Sequence, residues 1–95
     1  GWILMELEAV GITADLAAKP VSQLSGGQRR RLAVVLAMTA ESDFICLDEP
    51  FKGLDQETKQ KTMAYVKDRA AGKTVLLITH DDDEAAYFGG VTMLL

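Results

Sequence analysis

Two short apolar stretches, FICL at residues 44–47 and TVLLITH at 74–80, each end in polar residues: Asp48-Glu49 after the first, His80-Asp81 at the end of the second. Continuous apolar runs of this length, bounded by turn residues, suit strands buried on both faces, the habit of parallel sheets. Between them, Gln56 to about Ala71 carries Met63, Val66 and Ala70 at helical spacing, with Asp55 placed to cap the helix and Gly72 to end it. A strand, a helix and a strand with no short hairpin imply a right-handed parallel crossover. The fold class is therefore α/β. Both polar ends then fall on the same edge of the sheet, where open α/β sheets bind ligands.

The rest of the chain supplies helices around that unit. Leu4, Leu7, Val10 and Ile12 share one face of a first helix that Gly11 stops. TADLAAK predicts another helical turn, and Pro20 to Leu24 a connecting loop. Ser25 with Gln28 three places on is a capping-box pattern, opening a helix from Gly26 to about Ala40 with Leu32, Val35, Leu36 and Thr39 on its inward side. Asp82 to Tyr87 suit a short helix, and VTMLL at 91–95 a third strand. The run Asp81 to Glu84 favours a helix start through its dipole, and is a poor metal site because consecutive residues face different ways.

Composition excludes several classes. With 48% apolar and 25% charged residues the chain is globular. A net charge of −4 argues against a nucleic-acid surface, and Arg29-Arg30-Arg31 reads as the solvated face of a helix. Cys46, the single cysteine, reads as a small core residue, and Trp2 as packing. No apolar run is long enough to span a membrane. GWILMELEAV is not a signal peptide, and both ends look cut from something longer. GKT at 72–74 imitates the end of a phosphate-binding P-loop, but the position five before Gly72 is Lys67 rather than glycine. Its context is also inverted, running helix, turn, strand.

The chemistry lies at the strand ends. An acid closing a buried strand can hold Mg²⁺ through water beside substrate phosphates, which suits Asp48. The next acid, Glu49, points elsewhere and can orient or deprotonate a water, while His80 can donate a hydrogen bond to a phosphate oxygen. A DE pair after a strand is commonly a solvated turn, and a lone histidine commonly a surface residue. It is their coincidence at one sheet edge that makes a candidate site.

Taken in order, the pieces resemble the ATP-binding-cassette (ABC) ATPases. LSGGQ at 24–28 matches the family's signature motif, FICLDEP resembles its Walker B strand with the catalytic glutamate, GLD at 53–55 its D-loop, and LLITHD its switch-histidine segment. The resemblance implies a partial P-loop NTPase core, with parallel strands, flanking helices and the P-loop strand missing. Residues 1–40 would be the end of a helical subdomain, and residues 41–95 the second half of the catalytic core. It implies that Ser25, Gly26, Gly27 and Gln28 face the γ-phosphate of an ATP held by the opposite subunit of a head-to-tail dimer. Asp48 would hold Mg²⁺, Glu49 would polarise the attacking water, His80 would contact the γ-phosphate, and Asp55 would couple the two sites.

Walker A, the adenine-stacking aromatic and the Q-loop have no counterpart in these residues, so the 95 residues alone are expected to be inactive. For the same reason they are expected to be unable to close the native sheet, leaving 91–95 to dangle, to pair abnormally or to complete a sheet with another copy. The partners implied are a second ATPase subunit and transmembrane permease subunits, with no nucleic acid. The location implied is peripheral, on the cytoplasmic face of the membrane, and Phe51 after the DEP favours an importer. The alternative is an ATPase lobe of a Rad50/SMC-like DNA-maintenance protein. Gly11 and Pro20 break the heptads such a lobe would need, and only twenty positions separate Gln28 from Asp48.

Overall fold

The computed structural model describes residues 2–89. The expected third strand at 91–95, and the consequence drawn for closing the sheet, lie outside them. Helix α1 (Trp2–Ala9) leads through a turn to α2 (Ala14–Ala17) and a 3-10 turn at Val21–Gln23, which occupies the expected Pro20–Leu24 loop. Helix α3 (Gly26–Thr39), strand β1 (Phe44–Asp48), helix α4 (Gln56–Arg69), strand β2 (Thr74–Ile78) and helix α5 (Asp82–Phe88) follow. Gly11 ends α1 with φ +83°, which lets the Ile12 N–H reach back to the Leu7 carbonyl at 2.9 Å.

β1 and β2 pair in parallel, with Ile45 beside Val75 and Leu47 beside Leu77. The core forms between one face of this pair and helices α1, α3 and α4. It contains Leu7, Val10, Val35, Met38, Ile45, Leu47, Phe51, Met63 and Val66. Phe51, just past β1, is 2% exposed and stacks on Phe88 of α5 with ring centroids 5.8 Å apart.

Three expectations need correcting. β1 is not buried on both faces: Ile45 and Leu47 are, whereas Phe44 is 58% exposed and Cys46 is exposed rather than in the core. On β1 the described helices cover one side, so its uninterrupted apolar run alternates between core and surface, whereas Val75 to Ile78 of β2 are all half-buried. Leu36 is also exposed, because α3 buries the stripe Val34, Val35 and Met38, turned from the one read off the sequence. That rotation carries the arginines with it. Only Arg29 is fully exposed; Arg30 and Arg31 are partly buried and hold neighbouring segments.

Lys73, from the GKT that imitates a P-loop, donates to the Met38 carbonyl at 2.8 Å and to the Ala40 carbonyl at 3.3 Å. It satisfies the open C-terminal end of α3.

Candidate functional site

At the start of α3 the capping box forms. The Ser25 Oγ accepts from the Gln28 N–H at 3.1 Å, and the Ser25 N–H donates to Gln28 Oε1 at 2.9 Å. The N–H groups of Gly26 and Gly27, in the first turn, have no partner within the helix. A Cβ on Gly26 would meet nothing within 4 Å, whereas one on Gly27 would press Leu54 at 3.3 Å. Among the described residues no packing therefore requires a bare residue at 26. The open space and the free donors suit a close-approaching anion.

Two arginines dock this helix start. The Arg30 Nη1 donates to the Lys52 carbonyl at 2.5 Å, in the loop after β1. Arg31 donates to the carbonyls of Val10 at 2.9 Å and Gly27 at 3.3 Å, tying the first turn of α3 to the end of α1. Sequence reasoning placed both in solvent. The available signal was their phase: Arg31 sits three and four residues before Val34 and Val35, on the buried stripe.

At the sheet edge, Asp48 ends β1 opposite Ile78. Glu49 then adopts φ +48°, an unusual conformation for a side-chain-bearing residue, costing about 1–3 kcal/mol. Its N–H continues the ladder to the Ile78 carbonyl at 2.8 Å while its side chain crosses to the end of β2. There Glu49 Oε1 accepts from the His80 N–H at 3.1 Å and from the ring Nδ1. The hydrogen bond from His80 holds the Glu49 carboxyl below the usual glutamate range, so it is an anion at neutral pH. Glu49 and His80, placed at one sheet edge by the sequence, are thus in direct contact, which the sequence did not announce. The ring, 71% exposed, keeps Nε2 for another partner.

Asp48 is exposed, and its carboxylate makes no hydrogen bond or ion pair among the described residues. No cluster of three or more metal-ligating side chains occurs among them. A single free carboxylate fits Mg²⁺, which keeps most of its water and shares the rest with phosphates; it would not hold a metal that needs a protein cage.

Asp55 follows Gly53, which has φ +79°, and caps α4 by accepting the Thr58 N–H at 3.3 Å. The Thr58 side chain, and after it this N–H, draw the Asp55 carboxyl below the usual range. Asp81 caps α5 through the N–H groups of Asp83 and Glu84 at 2.8 and 3.1 Å, as the acidic run implied. An open cleft of about 510 Å³ is lined by Glu49, Lys52, Lys59, His80, Asp81 and Glu84 among others. Ser25 to Gln28 do not line it; Glu49 and His80 meet directly, and α3 reaches the loop after β1 through Arg30 on Lys52 and through Gly27 beside Leu54. Lys59 and Glu84 were not anticipated. They lie 25 residues apart, with no local pattern to announce their pairing.

Comparison with known proteins followed. The ABC transporter family matches residues 2–52. An energy-coupling factor transporter ATP-binding protein of Lactobacillus acidophilus is 39% identical over 90 residues, covering 94% of this chain and 32% of that protein. A taurine import ATP-binding protein of Pseudomonas aeruginosa is 43% identical over 83 residues, covering 85% of this chain and 31% of that protein. A dimeric ATP-binding cassette in a post-hydrolysis state with ADP and Pi superposes with TM-score 0.78 at 34% identity, over 88% of this chain and 37% of the other. The chain spans about a third of the length of these curated relatives. They carry transporter names, and give no support to the DNA-maintenance alternative.

Proposed function

The chain belongs to the ABC transporter family, and on that premise we propose that it is the signature-to-switch part of a transporter's ATP-binding subunit. In this reading it completes, in a head-to-tail dimer, an ATP site whose P-loop lies on the facing ATPase subunit. Residues 1–40 supply the end of the helical subdomain and residues 41–95 the second half of the catalytic core. The dimer drives transmembrane permease subunits from the cytoplasmic face of the membrane. Import is favoured by the likeness to a taurine import ATP-binding protein. No helix among the described residues is long and apolar enough to cross a membrane.

The observation that carries this reading is the Glu49–His80 pair at the edge of parallel strands, in a chain that also opens a helix with a bare, uncontacted Gly26. Ser25, Gly26, Gly27 and Gln28 present a hydroxyl, backbone donors and a helix dipole to the γ-phosphate of the facing subunit's ATP. Glu49, anionic and re-aimed by its backbone, orients water and accepts its proton. His80 donates toward the phosphate, and Asp55 couples the two sites across the interface. Asp48 would hold Mg²⁺, whose chemistry when bound is to neutralise charge on the phosphate oxygens. With no loop to wrap a triphosphate, the 95 residues alone are inactive.

The test is Glu49→Gln in the full-length subunit. The amide still accepts from His80 but takes no proton, so hydrolysis should fall by at least the ~10²–10⁴-fold typical of a general base. ATP-driven dimerisation should persist. Normal turnover by this variant would remove Glu49 from the mechanism.

A further inference from the structure

We propose that Lys59 and Glu84, with Thr79, form a buried tether that fixes the backbone on both sides of His80 and so holds its ring against Glu49. They are positioning residues, not catalytic ones. The proposal rests on the reading of Glu49 and His80 as the working pair.

Glu84 is 5% exposed, yet both its carboxylate oxygens are used. Oε1 accepts from the Thr79 hydroxyl at 2.6 Å, and Oε2 pairs with Lys59 Nζ at 2.8 Å. The same ammonium, on a side chain 18% exposed, reaches Asp81 Oδ2 at 3.0 Å. The Asp81 N–H in turn donates to the Thr79 hydroxyl at 3.1 Å. Residues 79 and 81, the two neighbours of His80 in the chain, are therefore both tied to one lysine of α4, Thr79 through Glu84 and Asp81 directly. The His80 side chain is 71% exposed, and among the described residues its one hydrogen-bond partner is Glu49. With so little packing on the ring, its position depends on the backbone that carries it.

A carboxylate and an ammonium taken out of water gain little net stability, since desolvation offsets their attraction. An ordinary surface cap would serve α5 equally well, and Asp81 already provides one. What the buried pair adds is a fixed relation between α5, the 79–81 turn and α4. The carboxylates raise the Lys59 pKa, Glu84 more than Asp81, so the ammonium stays charged throughout the physiological range. Because Asp55 caps the start of α4, the tether also joins the turn bearing His80 to the loop after β1 by way of one helix.

The experiment uses the isotopically labelled full-length subunit, read by NMR without nucleotide. The readouts are the His80 amide shift and the His80 ring signals, which both report the place of the ring against Glu49. Lys59→Met should shift both. Lys59→Arg, which can still bridge the two carboxylates, should preserve both. A folded Lys59→Met subunit with native His80 amide and ring signals overturns the proposal. Should Lys59→Met fail to fold by circular dichroism, Thr79→Val removes both hydrogen bonds of the Thr79 hydroxyl at similar volume. It must shift the same two signals, and unchanged signals overturn the proposal equally. No step requires ATP, so failure of the ATPase reading would appear separately, as normal turnover by Glu49→Gln.

Discussion

Ser25 carries two duties that one pair of substitutions separates. Within the chain its Oγ accepts the Gln28 N–H at 3.1 Å and caps α3. In the proposed dimer the same side chain meets a γ-phosphate. Ser25→Ala removes the cap and should destabilise the chain by about 1 kcal/mol. For a domain of this size that is a fall in melting temperature of roughly 4–8 °C. Ser25→Asp keeps a cap acceptor, and its charge suits the helix dipole by about 0.3–1 kcal/mol, so its stability should match or exceed the native chain's. It also sets a carboxylate where the phosphate must come. At about 4 Å and an effective dielectric near 20, each unit of charge costs about 4 kcal/mol, roughly a thousandfold in association. Urea unfolding of the chain reads the first effect. ATP-dependent dimerisation of full-length Glu49→Gln subunits, with and without Ser25→Asp, reads the second. A Ser25→Asp subunit that dimerises normally with ATP refutes the phosphate contact. One as unstable as Ser25→Ala refutes the capping geometry.

Two further outcomes follow from the core and from one ion pair. Phe51→Ala empties a site 2% exposed and removes the stack on Phe88, so it should cost about 3–5 kcal/mol in urea unfolding; a loss under about 1 kcal/mol would contradict the packing described. Arg69 grips Glu6 with Nε at 2.8 Å and Nη2 at 2.9 Å, and holds the Glu6 carboxyl below its usual range. Because the folded value lies below the unfolded one, this contribution is complete above about pH 4.3 and is lost as the pH falls through the folded value. Arg69→Met should flatten that acid limb of the stability profile, measured by urea unfolding at successive pH values; an unchanged limb would show that Glu6 gains nothing from Arg69.

The parts of this fold that could be read in advance are those whose chemistry is local. The Ser25–Gln28 box involves residues three apart, and the stop at Gly11 needs only a left-handed backbone that glycine adopts freely. The strand ends were legible because apolar runs broke at acids, and a parallel register then put Glu49 and His80 at one sheet edge without further information. Burial of particular faces was not legible, since it depends on which layers are present. Cys46 sits in an apolar run, yet faces the side of β1 that no described helix covers. Arg30 and Arg31 read as solvated because a run of three charges gives no phase by itself; the phase of Arg31 shows only against Val34 and Val35, once the docking of α3 on α1 and β1 sets which stripe is buried. Lys59 and Glu84 meet through tertiary structure alone.

Complementation between full-length subunits tests the central claim, that the site is shared between chains. Subunits with Ser25→Asp keep an intact P-loop but lose the signature contact. Subunits whose P-loop lysine is replaced keep the signature but lose the triphosphate cradle. Each preparation alone should be inactive. Mixed and reassembled, they should recover ATP turnover, because one composite site in each mixed dimer is whole. If mixing restores nothing while dimers form, the signature residues do not act across the interface and the account is wrong.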